Sequence, residues 1–345
     1  MLDDLNVIKQ KDSKNALGVA ASEVDQLQFD AVIENREAVS SDVETIVVAG
    51  MGGSALAAGI AKSWLNVDVP FEIVKNYEVP NYVNEKTLVI ASSYSGNTEE
   101  TLAALERAKA KNARIVVIAS GGKLVDIARE NSFPLVVLPA NIQPRMAVNY
   151  NLRGLVQILE SYNIVQGKYE EIALAHDWLK KEVEKWLPDV GENENLAKQL
   201  ALKIAGKTPV IYAGEIMSPV AYKWKISFNE NAKNVAFCNQ LPEFNHNEFI
   251  GWTSHPVEKP FAVFDLVSGF EHERTLQRFT ISDKLLSGKR PKATTIELSG
   301  DSVIKQMLWG SILADFVSIY LAVLNGVDPT PVALIEKLKE ELAKA

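Results

Sequence analysis

Short apolar segments alternate with segments of helical periodicity along most of this 345-residue chain. In the first half, each apolar segment has the length of one strand, and helical segments of about ten residues lie between several of them. Such alternation is typical of a parallel sheet that helices cover on both faces. The predicted strands of this half are residues 45–49, 71–74, 87–91, 114–119 and 135–138.

The second half repeats this alternation without a close residue-level repeat of the first. Its predicted strands are residues 208–213, 234–237, 261–267 and 293–298, and a long apolar helix follows at 304–324. We therefore expect an α/β chain with two domains, each large enough to bury its own core. The expected boundaries are a helical segment at 1–40, a first α/β domain at 41–150, a helical linker at 151–200, a second α/β domain at 201–330 and a C-terminal helix at 331–345.

The charge balance and the cysteine content exclude several classes of protein. The chain has 36 basic and 44 acidic side chains and a net charge of −8, which argues against a nucleic-acid partner because neutralising phosphates requires a basic surface. The one cysteine, Cys238, excludes a disulfide framework and a metal site of several thiolates. No apolar run reaches about 18 residues and no signal-peptide layout is visible, so we expect a cytoplasmic protein without a membrane partner.

The most informative segment is the loop that follows the third predicted strand, with the sequence SYSGNTEET over residues 93–101. The first amides of the next helix have no partner within the helix and carry partial positive charge. Together with the hydroxyls of Ser93, Ser95 and Thr98, they could bind a phosphate. The loop holds no Lys or Arg, which favours a small phosphate monoester over a nucleotide bound with Mg²⁺. The alternative is an ordinary Ser/Thr helix cap with a turn glycine.

A second glycine-rich turn, GMGGS at residues 50–54, follows the first predicted strand. It matches a dinucleotide-binding fingerprint only imperfectly, because Ala55 stands where the last glycine belongs. We favour the alternative, in which Gly53 lets the backbone approach a sugar and Ser54 binds a hydroxyl or a phosphate.

Six motifs then occur in an order that resembles the sugar isomerase (SIS) domain family. They are GMGGSA, SYSGNTEET, QPR, FNENAK, LPEFNHNE and GVDPTP, and the resemblance spans about residues 46–339, nearly the whole chain. In detail they resemble the bifunctional phosphoglucose/phosphomannose isomerases. The resemblance implies two SIS domains, a homodimer without a cofactor, and metal-independent aldose–ketose isomerisation of hexose 6-phosphates by ring opening and a cis-enediol.

The resemblance also implies which residues carry the reaction. It places the proton-transferring carboxylate at Glu230, although Glu243 and Glu248 remain rivals on chemistry alone. It places the histidine that opens the sugar ring at His246, contributed by the partner subunit. His255 is the second choice for that role.

Two cations complete the implied site. Arg145, held by the preceding proline, suits the charge of an enediolate because a guanidinium stays protonated at any working pH. The family also has a lysine on the last helix, for which Lys337 and Lys339 compete. On helical geometry Lys339 borders the apolar stripe of that helix and is expected to point inward. Thr330 or its neighbours are expected to decide whether both C2 epimers are accepted.

Two other functions remain open at this point. A sugar-phosphate-sensing SIS protein would bind without turnover, although the first 40 residues are short and not basic for a DNA-binding domain. An aminotransferase that makes glucosamine 6-phosphate would need a glutaminase with an N-terminal cysteine, whereas residue 2 is Leu. The four histidines lack the spacing of metal ligands, so no metal is expected.

Overall fold

The computed structural model describes residues 1–36, 42–254, 260–342 and 344. The chain divides into two compact units, which we call the first unit and the second unit. The first unit comprises Ser22–Lys180 and Gly300–Met307, and the second unit comprises Met1–Ala21, Lys181–Ser299 and Leu308–Ala345.

Helices and strands alternate in the described residues as the sequence predicts. The helices are α1 (Leu5–Lys11), α2 (Ala16–Ser22), α3 (Gly52–Leu65), α4 (Glu99–Ala110), α5 (Gly122–Glu130), α6 (Val148–Ser161), α7 (Lys168–Ala173), α8 (His176–Glu184), α9 (Leu196–Ile204), α10 (Ser218–Glu230), α11 (Glu248–Gly251), α12 (Glu273–Leu285), α13 (Val303–Leu324) and α14 (Ala333–Leu342). The strands are β1 (Ile33–Glu34), β2 (Thr45–Ala49), β3 (Phe71–Val74), β4 (Thr87–Ser92), β5 (Arg114–Ala119), β6 (Leu135–Val137), β7 (Thr208–Ala213), β8 (Phe237–Gln240), β9 (Phe261–Val267) and β10 (Thr294–Glu297).

The first unit contains a six-stranded sheet in the order β1-β6-β5-β4-β2-β3. Five strands are parallel, and every residue of the central strand β4 is buried, as expected for a sheet covered on both faces. β1 pairs antiparallel with β6 at one edge. Sequence analysis missed β1 because two residues are too short to show an alternating pattern. β2 and β4 are neighbours, so the turns that lead into α3 and α4 lie side by side at the carboxyl edge of the sheet.

The second unit contains a four-stranded parallel sheet in the order β10-β9-β7-β8. The predicted strand at 234–237 is wrong, because the strand begins only at Phe237. The preceding residues close the end of α10 instead: the amide of Asn234 donates to Phe228 O at 3.1 Å, and the amide of Ala236 donates to Asn229 Oδ1 at 3.1 Å. The α/β class and the parallel sheets are confirmed.

Helix α13 is long and apolar enough to cross a membrane, by length and composition alone. The expectation that no such run exists is therefore wrong. In the described residues it is the one helix that passes this test, and 94% of its most apolar window is buried inside the protein. Burial of this kind is what the core helix of a globular fold shows.

A buried ion pair joins α10 to α13 in the second unit. Lys223 Nζ lies 2.6 Å from Asp315 Oδ2 and 2.8 Å from Asp315 Oδ1, and Ser227 Oγ donates to Oδ1 at 2.9 Å. Lys223 is 1% exposed and Asp315 is 0% exposed. Each charge depends on the other, since an unpaired charge at this depth would keep its full desolvation penalty.

Removing one member of this pair should destabilise the second unit strongly. We expect Lys223→Met to lower the free energy of unfolding by about 3–5 kcal/mol, because the Asp315 carboxylate is then buried without its partner. Urea unfolding measures the difference, with Lys203→Met, an exposed lysine on α9, as the control. The double variant Lys223→Met with Asp315→Leu should recover much of the loss. A single variant as stable as the control would contradict this role of the pair.

Candidate functional site

The loop between β4 and α4 holds its own hydroxyls together. Ser93 Oγ lies 2.7 Å from Thr98 Oγ1. Thr98 is the N-cap residue of α4, yet its side chain accepts no hydrogen bond from the first turn of the helix. The cap hydroxyl is engaged with Ser93, so the first-turn amides are not capped by the residue that would normally do so. Ser93 is buried and Ser95 is exposed at the tip of the loop.

Gly96 fixes the shape of this loop. Its amide donates to Ser93 O at 3.0 Å, and its φ of +68° lies in the left-handed region. A Cβ at this position would lie 1.7 Å from the carbonyl oxygen of Gly121, which belongs to the turn after β5. Only glycine allows this approach. The loop is therefore packed against its neighbour, and its backbone has little room to shift.

The neighbouring turn between β2 and α3 brings Gly53 against Arg145. A Cβ on Gly53 would lie 2.5 Å from Pro144 O and 3.6 Å from the Cα of Arg145. Arg145 is 3% exposed, and its Nη1 donates to Gln143 Oε1 at 3.3 Å. The structure thus brings together two of the predicted site residues, a close-approach glycine and a buried guanidinium.

Ser54 is tied to a polar group that the sequence analysis did not identify. Its Oγ donates to Asn151 Oδ1 at 3.3 Å, and Ser92 Oγ donates to the same oxygen at 3.2 Å. Asn151 in turn donates from Nδ2 to Ala147 O at 2.9 Å. This buried group links the β2–α3 turn to the end of β4. The available signal was an asparagine among the apolar residues of α6, which indicates a polar partner inside the fold.

In the second unit, Glu230 is the last residue of α10 and is half-buried. The asparagines on either side of it bind the protein itself. Asn229 Oδ1 accepts from the amide of Ala236 at 3.1 Å, and Asn231 Nδ2 donates to Ser318 Oγ at 2.9 Å. The asparagines of the NENAK motif therefore hold the helix end that presents Glu230.

The rival carboxylates have structural partners. Glu248 accepts from the Tyr212 hydroxyl through Oε1 and from Asn239 Nδ2 through Oε2, the latter at 2.8 Å. Both of its oxygens thus serve the sheet of the second unit. Glu243 is exposed and accepts from Asn247 Nδ2 at 2.5 Å. These contacts give both residues a structural use that does not require a role in proton transfer.

The histidines differ in their surroundings. His246 ends the 3₁₀ helix Glu243–His246 and is exposed, and its role in ring opening stays a prediction. His176 lies between Asp25 and Asp177, with nitrogen–oxygen distances of 3.2 and 2.8 Å. His272 caps α12 by accepting from the amide of Arg274. His255, the second choice for ring opening, lies outside the described residues.

The lysines of α14 do not point into the chain. Lys337 and Lys339 are both exposed, and so are the apolar residues Ile335 and Leu338. The described part of α14 has no buried residue, so Lys339 is not turned inward within one chain. The roles of both lysines stay predictions. Among the described residues, no group of three or more His, Cys, Asp or Glu side chains is arranged to hold a metal ion.

A buried acid, Asp265 on β9, lies beside the hydrogen-bonded Tyr212 in the register of the second sheet. It is 4% exposed. Burial raises the pKa of its carboxyl to about 7; the charge of Arg290 acts in the opposite direction, and Asp283 adds to the increase. The folded protein therefore binds this proton more tightly than the unfolded chain does.

The sign of the resulting pH dependence follows from linkage. Asp265 contributes stability below about pH 4 that is lost as pH rises through about 7, the pKa of the folded state. Between pH 5 and pH 8, wild-type protein should lose up to about 3 kcal/mol of unfolding free energy that Asp265→Asn retains. Urea unfolding at both pH values measures this, with the exposed Asp189→Asn as control. Equal pH slopes for Asp265→Asn and wild type would contradict the assignment.

A substitution in the β4–α4 loop tests its packing. We expect Gly96→Ala to lower the free energy of unfolding by about 1–3 kcal/mol, because both the positive φ and the Gly121 carbonyl oppose a side chain, and to weaken the binding of inorganic phosphate. Gly121→Ala is the matched control, since nothing lies within 4 Å of a Cβ placed there. Thermal unfolding and phosphate titration of both variants give the comparison. Gly96→Ala behaving like the control would show that the loop is not so constrained.

Comparison with known proteins is consistent with this geometry. Residues 41–145 match the SIS domain family, and residues 193–342 match the bacterial phospho-glucose isomerase C-terminal SIS domain. The structure of a hypothetical protein from Thermus thermophilus, TT0462, superposes with a TM-score of 0.69 at 17% identity, covering 99% of this chain and 91% of that chain. This likeness supports the fold.

Two relatives are similar along most of their length. The bifunctional phosphoglucose/phosphomannose isomerase of Caldicellulosiruptor bescii is 36% identical over 309 residues, which is 88% of this chain and 91% of the relative. The D-glucosamine-6-phosphate 4-epimerase of Sulfolobus acidocaldarius is 30% identical over 317 residues, which is 88% of this chain and 93% of the relative. With its two SIS domains and this extent of identity, the chain belongs to the family of bifunctional phosphoglucose/phosphomannose isomerases.

Proposed function

We propose that this protein interconverts glucose 6-phosphate, mannose 6-phosphate or both with fructose 6-phosphate. The observation that carries the proposal is the 36% identity over 309 residues to a bifunctional phosphoglucose/phosphomannose isomerase. The geometry of the β4–α4 loop supports it independently, since this loop suits a phosphate monoester.

In the proposed mechanism, the phosphate is held by the hydroxyls of Ser93, Ser95 and Thr98 and by the first-turn amides of α4. Two acidic residues, Glu99 and Glu100, lie in the same turn, so binding depends on directed hydrogen bonds and the helix dipole more than on net charge. Gly53 and Ser54 are proposed to approach the sugar from the neighbouring turn.

The chemical step needs a base, a ring-opening acid and a cation. His246 donates a proton to the ring oxygen as the C1 hydroxyl gives its proton to water, and the C1–ring-oxygen bond breaks to give the open-chain aldose. The Glu230 carboxylate then removes the proton from C2, and the electrons of that C–H bond form the C1–C2 double bond of the enediolate. A proton moves from the C2 hydroxyl to the C1 oxygen, and the same carboxyl group returns its proton to C1, which gives fructose 6-phosphate. Arg145 stabilises the negative charge of the enediolate, and Lys339 is proposed near the ring oxygen.

We further propose a homodimer in which His246 acts on the partner's substrate. Exposed apolar side chains support it, because large apolar side chains left exposed along one helix commonly mark a contact surface. Leu334 and Leu338 on α14 are 81% and 59% exposed, and Ile250, four residues from His246, is 69% exposed. We also propose a cytoplasmic location, since the burial of α13 inside the protein indicates a core helix and not a membrane span.

The 30% identity to a D-glucosamine-6-phosphate 4-epimerase makes epimerisation at C4 a second candidate activity. Incubating the purified protein separately with glucose, mannose and glucosamine 6-phosphates, with and without glutamine, distinguishes these activities. We expect fructose 6-phosphate from glucose or mannose 6-phosphate, independent of glutamine and unchanged by EDTA. Change at C4 alone would indicate the epimerase. Binding without turnover would indicate a sensor, and activity lost with EDTA would contradict the acid–base scheme.

The base assignment has its own test. Glu230→Gln should lower kcat by about 10²–10⁴-fold while fructose 6-phosphate still binds, since the amide keeps the shape and loses the base. Glu243→Gln is the matched control and should stay near wild type. Steady-state kinetics and calorimetric binding give both quantities. If Glu230→Gln keeps its turnover, or if only Glu243→Gln loses it, the assignment is wrong.

A further inference from the structure

The lysine that ends the NENAK motif binds two separate chain segments of the second unit. Lys233 Nζ donates to Glu230 O at 2.9 Å and to Asn231 O at 3.3 Å. It also donates to Asp328 O at 2.7 Å and to Pro329 O at 3.1 Å. The three protons of one ammonium thus face four carbonyl oxygens. An exposed lysine normally keeps its ammonium in water, and the residue as a whole is exposed.

The backbone at this position does not favour a lysine. Lys233 has a φ of +51°, in the left-handed region where the chain leaves α10. Glycine or asparagine is the usual residue for such a conformation after a helix. A residue held at an unfavourable backbone position requires compensating contacts from the surrounding structure. Here the ammonium satisfies carbonyls at the negative end of the helix dipole.

The other segment is a short turn that leads to Thr330. Asp328 Oδ1 accepts from the amide of Thr330 at 2.8 Å, and Asp328 Oδ2 accepts from Ser13 Oγ at 3.3 Å. Thr330 is 9% exposed. The turn is therefore held by its own hydrogen bonds. Lys233 joins it to the end of α10, because the ammonium binds carbonyls of the turn and the backbone carbonyl of Glu230. The two segments lie about one hundred residues apart in the sequence.

We propose that Lys233 is a positioning residue for the isomerase reaction. Its ammonium fixes the end of α10 against the Asp328–Thr330 turn and so sets where the Glu230 carboxylate stands relative to bound sugar. The inference rests on the proposed function, in which Glu230 moves the proton. Proton transfer is more sensitive to such placement than binding is, because the reacting atoms must be within hydrogen-bond reach.

Substitutions of Lys233 test the inference. We expect Lys233→Met to lower kcat by about 10- to 100-fold, with the KM and the calorimetric affinity for fructose 6-phosphate nearly unchanged. Lys233→Arg should recover part of kcat, because it keeps the charge and the donors. Lys203→Met, an exposed lysine on α9 of the same unit, is the control and should match wild type. A Lys233→Met enzyme with wild-type kcat would overturn the inference.

A second variant covers the case in which Lys233→Met does not fold. Lys233→Asn removes the ammonium and places at this position a residue that tolerates positive φ, so the backbone conformation is preserved. The binding stoichiometry of fructose 6-phosphate gives the fraction of folded sites, so a loss of kcat per site reports positioning and not unfolding. If both variants lose binding sites and total activity in the same proportion, kcat per site is unchanged. That result would show a merely structural role for Lys233 and overturn the inference.

The outcomes also separate this inference from the proposed function. Wild-type protein without isomerase activity would defeat the proposed function and this inference with it. Active wild type in which Glu230→Gln abolishes turnover, while Lys233→Met and Lys233→Asn leave kcat per site unchanged, would defeat this inference alone.

Discussion

The contact between Ser93 and Thr98 is the interaction on which the first unit's site depends. Helix α4 begins at Glu99, one short loop after the fully buried strand β4, and its N-cap residue could have satisfied the first-turn amides. The 2.7 Å contact between the two hydroxyls holds the Thr98 side chain in the loop instead. A helix whose own cap is diverted in this way remains suited to an external anion. Gly96 makes the arrangement possible, because only glycine fits against the Gly121 carbonyl.

At the carboxyl edge of its sheet, the second unit differs from the first. There the turn after β7 is filled by a carboxylate of the chain itself, since Glu271 Oε1 accepts from the amide of Met217 at 2.9 Å. A Cβ on Gly214 would lie 2.2 Å from that carboxyl group. Two units of similar architecture therefore use their carboxyl edges in different ways. In the first unit this edge holds a loop that suits an external phosphate, whereas in the second unit it is closed by an internal anion. The Glu230 end of α10 lies at the opposite edge of the second sheet, where Asn234 Nδ2 donates to Lys207 O at 3.1 Å just before β7.

Much of the fold followed from the sequence because buried parallel strands are short, apolar and regularly spaced. Nearly all predicted strands lie where expected, and SYSGNTEET did turn from strand to helix. The misses share a physical cause. The strand predicted at 234–237 lost its first residues to hydrogen bonds that close α10, and hydrophobic pattern carries no information about such bonds. The link from Ser54 through Asn151 to Ser92 depends on tertiary contact between residues far apart in sequence. Ile335 and Leu338 are exposed, so an apolar stripe on a helix does not by itself show that the rest of the chain covers it.

The most direct test of this account is a crystal structure with fructose 6-phosphate bound. The account predicts phosphate oxygens within hydrogen-bond distance of the hydroxyls of Ser93, Ser95 and Thr98 and of the first-turn amides of α4. A phosphate bound anywhere else, with this loop unchanged and empty of ligand, would contradict it.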